Sequence, residues 1–248
     1  MNHKHFKQIL ISNNILPKTM SETKLGLKLI KQKEKFILED GVKALKYNKN
    51  ITSLNGNYSL EQYLQEIQRI TNQYYFLYIQ ISQFEAFLRT YINHKMVKVY
   101  GNRWHKNSIM RDLKDFNSTN ILRYNKPSQV LNSISFGTLE LVFLSGSRYA
   151  NVFQKDLNIN KILAKNRKPK YHNKDMLKDL FQLVRNARND ICHHRRIGES
   201  IKSNPKYKKK KMTKSDVLHS LNDLKILLGY DDTFDVKDVK LQYGDIAI

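Results

Sequence analysis

The chain has 248 residues, enough for one sizeable domain, and 40% of them are hydrophobic, enough for a packed core. With only 4 prolines and 9 glycines it lacks the punctuation of sandwiches and barrels, so an all-α chain of long helices and short polar loops is expected. A formal charge of +22 repels itself and suits a polyanionic partner, nucleic acid first, or reflects biased codon usage in an AT-rich genome, so it supports that partner without establishing it. The single cysteine, Cys192, excludes an internal disulfide framework and a multi-cysteine zinc site and points to a reducing, cytoplasmic setting. No apolar run approaches bilayer length and the N-terminus lacks a secretory pattern, so no membrane role is expected.

Two helices are predicted near the start, over 6–11 and 23–45, the second carrying Leu25, Leu29, Phe36 and Leu45 among lysines. The strongest periodicity follows. Leu60, Ile67, Tyr74, Ile81 and Leu88 recur every seven residues, as do Tyr63, Ile70, Leu77, Phe84 and Tyr91, which predicts one long helix over 60–92. Ser59 is the expected N-cap, with Gln62 completing a capping box, and Gly101 is the expected stop. Such a double stripe suits a coiled coil or the spine of a helical bundle, and the bundle is favoured.

Residues 117–127 read as loop, 136–144 as a short apolar helix, and KNRKPKYHNKD (165–175) as a basic linker. Helical pattern resumes at Asp175, and a last helix is predicted from Ser215 as N-cap to Leu228, with Gly229 as its C-cap. One domain over 1–229 is expected, including a lysine-rich arm at 202–214, followed by a tail over 230–248 of acidic and apolar residues without clear period.

The chemistry is concentrated at 185–196. Leu177, Leu180, Phe181, Val184, Ala187 and Ile191 form an amphipathic stripe. At about 100° per residue, Arg188 falls only about 40° from Val184, whereas Arg185 and Asn189 flank the other face and His193 lies opposite. A guanidinium beside a core stripe has to be paired or line a cleft. Arg188 and His193 are about 140° apart on a continuous helix, so one chain brings them onto one phosphate only if the helix breaks there or a second copy contributes. The plainer alternative is a solvated basic face at Arg185, Arg188, Arg195 and Arg196, with His193 and His194 as helix C-terminal histidines favoured by the macrodipole.

The segment RNARNDICHHRR, with Arg188 followed by four residues and then His193, resembles the R-x4-H signature of HEPN domains. More closely it resembles the Abi-like abortive-infection family of the AbiD and AbiF type, in which an RN pair precedes HH and a further Arg. Ser135, Phe136 and Gly137 before an apolar helix, and Glu85 with Arg89 ahead of YGNRWH, agree with that resemblance, which spans roughly 85–196. After Arg196 this chain has Ile197, Gly198 and Glu199 where the family continues with an aromatic and an Asn.

The resemblance implies a HEPN-like helical bundle that dimerises so that two signature segments face each other across a composite ribonuclease site. It implies a metal-independent endoribonuclease without cofactor, acting in phage defence or toxin-type growth arrest, with an antitoxin or a small RNA as further partner. RNA brings its own nucleophile, the 2′-OH, so the site has to supply a base, an acid and charge stabilisation. His193 is the proton carrier, since imidazole is the side chain whose ordinary titration range is near neutral pH; Arg188 forks onto phosphate oxygens; Asn189 orients one or the other. Arg185, His194 and Glu85 are the supporting residues. Two partners are open to Glu85: a site Arg or His across the bundle, or Arg89 four residues on.

Lys206, Tyr207, Lys208, Lys209, Lys210 and Lys211, with Lys202 and Lys214 at either end, form a run without acid that reads as an RNA-gripping arm or as a solvated loop. No metal site is expected, since His94 and His105 lack ligand partners at recognisable spacing. The alternative function is a non-catalytic RNA-binding protein that holds a structured small RNA.

Overall fold

The computed structural model describes residues 3–16, 35–47, 51, 53, 56–108, 110, 124–144, 146–154, 173–199 and 212–230. These residues are all-α apart from one two-stranded pairing. In chain order they form α1 (His3–Ser12), β1 (Ile15–Leu16), α2 (Lys35–Tyr47), β2 (Tyr58–Ser59), the 41-residue α3 (Leu60–Tyr100), a 3-10 turn (Trp104–Lys106), α4 (Pro127–Ser133), α5 (Phe136–Phe143), α6 (Gly146–Tyr149) with a π turn (Ala150–Gln154), α7 (Asn173–Cys192) and α8 (Lys214–Leu228). β1 and β2 run parallel, with Ile15 opposite Tyr58 and Leu16 opposite Ser59.

Helix α3 starts as its sequence dictates: Ser59 Oγ accepts from the Gln62 amide at 3.1 Å while Gln62 Oε1 accepts from the Ser59 amide at 2.9 Å, a reciprocal capping box. It ends at Gly101, which takes φ +76°, where a residue with a Cβ is strained. The helix therefore runs eight residues beyond the predicted Ile92, because Met96 continues the buried stripe and nothing before Gly101 breaks the backbone. Pro127, expected in a loop, is instead the first residue of α4, where its missing N–H costs nothing. Helix α8 begins one residue before the expected cap. Of the predicted 23–45 helix, residues 23–34 lie outside the described residues, as do most of the 117–127 loop, the basic linker and the C-terminal tail.

The chain clusters into two compact units, Met1–Leu77 with Asp190–Lys214 and Lys237–Ile248, and Tyr78–Asn189 with Ser215–Val236. In the first unit, Leu38, Leu45, Leu60, Tyr63, Ile67 and Ile70 are buried. Gly41 lets α2 approach α3 closely: a Cβ there would lie 2.9 Å from Ile67 Cγ1 and 3.1 Å from Tyr63 Cε2. The Tyr63 hydroxyl donates to the Leu38 carbonyl at 3.0 Å, and burial raises its pKa.

The second unit is built around Phe181 of α7, whose ring centroid lies about 6 Å from those of Phe84, Phe136 and Phe153. The three contacts are tilted, a geometry that aromatic pairs favour over face-to-face stacking. Trp104 is fully buried and donates from Nε1 to Asn93 Oδ1 at 3.0 Å, which ties the 3-10 turn back onto α3. Both α8 and α7 close with the same backbone device. The Gly229 amide bonds to the Ile226 carbonyl and that of Tyr230 to Lys225, as the His194 amide bonds to Ile191 and that of Arg195 to Asp190.

Candidate functional site

Helix α7 carries the signature residues, and its buried line differs from the predicted one at its end. Leu177, Phe181, Val184 and Ala187 are buried, but the line continues through Asp190, fully buried, while Leu180 and Ile191 are half-exposed. An acid in a core stripe is tolerable only with strong donors. Asp190 Oδ2 accepts from the Gly198 amide at 2.8 Å, so the carboxylate stitches the turn after α7 back to the helix end.

That turn is where the helix breaks. The helix ends at Cys192, His193 follows it and is exposed, and His194 sits at φ +54°, the left-handed region that glycine usually takes at this position. The break falls after His193, at His194, so His193 is the C-cap residue of α7. The sequence placed His193 and His194 at the helix C-terminus but did not mark His194 as the left-handed residue, because that position holds a histidine and the nearest glycine is Gly198.

In the second unit each signature arginine of α7 has a glutamate partner. Arg188 Nε lies 3.8 Å from Glu85 Oε2, and the Arg188 side chain keeps 35% of its surface exposed. Glu85 also pairs with Arg89, which in turn donates to the backbone carbonyls of Leu131 and Ile134 around the end of α4. Both partners open to Glu85 in the sequence are therefore present at once. Through Arg89 the carboxylate is anchored to α4, and it stands at ion-pair distance from Arg188 without a hydrogen bond to it. The two terminal nitrogens of Arg188 take no partner among the described residues.

Arg185 departs from its place on the helical wheel. Predicted on the outer flank, it is the more covered of the two arginines, at 21% exposure, with Nη1 2.9 Å from Oε2 of the buried Glu140 on α5. The contact has ion-pair distance without hydrogen-bond alignment, since Glu140 Oε2 has no hydrogen-bond donor. Burial raises the Glu140 pKa, and Arg185 and Lys178 pull it back down. Gly137 makes the approach possible: a Cβ there would stand 3.1 Å from Arg185 Cδ. The SFG stretch thus has a steric role beside its N-cap, in which Ser135 Oγ accepts from the Thr138 amide. Asn189 is half-buried and has no side-chain hydrogen bond among the described residues.

In the first unit, Arg196 is not part of a solvated face. Its Nη2 lies 2.9 Å from Asp40 Oδ1 and 3.1 Å from Glu39 Oε2, and its Nε donates to Asp40 Oδ2 at 3.2 Å. Burial works against its charge, and Asp40 followed by Glu39 outweighs that, so its pKa lies above the ordinary value. The Tyr74 hydroxyl accepts from the Ile197 amide at 3.3 Å, and burial above all raises its pKa. Together with Asp190, these bonds fix 195–199 as a braced turn.

Lys214, read from sequence as the end of the RNA-gripping run, is instead buried, with Nζ 2.7 Å from Gln73 Oε1 and 4.9 Å from the centre of the Tyr74 ring. Burial, with Arg69 and Arg196 nearby, lowers its pKa to about 8 against the opposing pull of Asp40. Lys202, Lys206, Tyr207, Lys208, Lys209, Lys210 and Lys211 lie outside the described residues. Sequence reasoning missed Asp40, Asp190 and Glu140. Asp40 and Glu140 are acids in apolar stripes whose partners lie far along the chain, and Asp190 reaches past the helix end to a backbone amide.

Among the described residues no three His, Cys, Asp or Glu side chains gather closely enough to hold a metal ion. No helix among them is long and apolar enough to cross a membrane. Compared with models of known families, with curated proteins and with solved structures, the chain gives no match.

Proposed function

We propose that the chain is a metal-independent endoribonuclease of the HEPN type, working as a homodimer in the cytoplasm in phage defence or toxin-type growth arrest. The observation that carries this reading is the presentation of Arg188. Its Nε lies at ion-pair distance from Glu85, and its terminal nitrogens have no partner among the described residues, which leaves them for a phosphate. His193 stands exposed just past the helix stop, where an imidazole can exchange protons with a bound strand.

In the reaction, one imidazole removes the 2′-OH proton and the 2′-oxygen attacks phosphorus. Arg188 offsets charge on the non-bridging oxygens, and the bond to the 5′-oxygen breaks as an acid protonates it. A second copy, related by a two-fold axis, supplies the partner imidazole. Products carry a 2′,3′-cyclic phosphate and a 5′-OH.

Incubating labelled RNA with the wild-type protein in excess EDTA tests this, with Arg188→Ala and His193→Ala alongside. Cutting is expected to survive the chelator and to be lost in both variants, with folding retained. Intact RNA held tightly by all three proteins would replace this reading with the non-catalytic one, a protein that binds a structured small RNA.

A further inference from the structure

The stretch 86–111 contains no Asp or Glu. The structure turns part of it into a cationic knuckle in the second unit. Lys98 lies in the last turn of α3, and Arg103 and Lys106 flank and close the 3-10 turn. Lys126 precedes α4, a helix that packs against that turn. All four side chains belong to exposed residues. Their backbone is held from beneath by Trp104 on Asn93 and by the fully buried His105, whose Nε2 lies 3.1 Å from the Tyr124 carbonyl.

These four cations lie together without a carboxylate at ion-pair distance among the described residues. Several cations elsewhere have one: Lys35 has Glu39, Lys43 has Asp40, Arg69 has Glu66 and Arg185 has Glu140. Lys98, Arg103, Lys106 and Lys126 have none among the described residues. The helix macrodipole accounts for a lysine at the end of α3, and so for Lys98 alone. It does not account for the other three, which stand on the 3-10 turn and at the start of the helix packed against it, where like charges repel and a bound polyanion would offset them.

We propose that this knuckle is a docking site for the phosphate backbone of RNA, separate from the residues proposed to cut it. The inference rests on RNA being the ligand. The ring that could stack on a base, Trp104, is buried, and Tyr100 is half-buried with its hydroxyl accepting from Asn151. The contact is therefore to phosphates and indifferent to sequence. A membrane surface is the poorer partner, because a site for one sets an apolar face beside its cations, and among the described residues of this stretch the only large exposed apolar side chain is Val99.

The test uses the full chain and a labelled single-stranded RNA of about 20 nucleotides, with binding followed by anisotropy across a salt series. Each phosphate contact contributes about 0.7 to the slope of log affinity against log salt. The variant K98Q/R103Q/K106Q/K126Q is thus expected to lose about 3 from that slope and on the order of 100-fold in affinity at about 0.1 M salt. The control K35Q/K43Q/K46Q changes the net charge in the same direction at the α2 surface and is expected to lose less than about 1. A four-site variant with the wild-type slope overturns the proposal, as does a variant that loses binding only to vesicles containing anionic lipid. If the variant loses the slope while the wild type fails to cut, the docking site stands and the nuclease reading falls. Normal cutting with an unchanged slope leaves the nuclease reading standing and overturns the docking site.

Discussion

Replacing Lys214 by methionine removes a buried ammonium whose cost depends on pH. The fall in its pKa from 10.5 to about 8 means that keeping the group protonated in the folded protein costs about 3 kcal/mol relative to water. Below pH 8 both folded and unfolded chains hold the proton, and the folded state bears the whole cost. Between pH 8 and 10.5 the unfolded chain holds a proton that the folded chain has released, so stability rises with pH through this window. Tyr63 and Tyr74, whose pKa values burial raises, oppose this rise only above about pH 10. Urea unfolding between about pH 7 and pH 9.5 is therefore expected to show the wild type gaining about 2 kcal/mol on Lys214→Met. Losing the Gln73 bond shifts the two curves by a constant and leaves their relative slope untouched. Parallel curves would mean that Asp40 and the Tyr74 ring compensate the buried charge in full, and the desolvation argument would be wrong.

His194→Gly relieves the left-handed backbone at the end of α7 and is expected to stabilise the protein by about 1 kcal/mol, measured as a rise in urea midpoint; a fall would mean that the imidazole's own contacts outweigh the strain. Phe181→Ala removes the ring that Phe84, Phe136 and Phe153 surround and is expected to cost about 3–5 kcal/mol in the same assay. A loss under about 1 kcal/mol would show that the four-ring cluster is not the core of its unit.

The parts of this protein legible in its sequence are those governed by interactions a few residues apart. The capping box of Ser59 and Gln62 follows from side chains meeting the backbone of their own turn, and the stops at Gly101 and Gly229 from the left-handed backbone that glycine takes without strain. The stripes of α3 and most of that of α7 follow from the 3.6-residue period. The same locality placed Arg188 beside a core stripe, where it has to be paired or line a cleft, and Glu85 stands at ion-pair distance from it.

Tertiary structure alone decided which carboxylate meets which cation. Asp40 and Arg196 are 156 residues apart, and Lys214 and Gln73 are 141 apart, so no spacing rule links them. It also decided that Arg185 is drawn inward, since that depends on the missing Cβ of Gly137 on another helix, and that Lys214 is core and not arm. A helix period fixes the direction in which a side chain leaves its axis. Whether that direction ends in water, in an apolar wall or on an opposite charge is set by the neighbouring helix, and the chain acquires that neighbour only on folding.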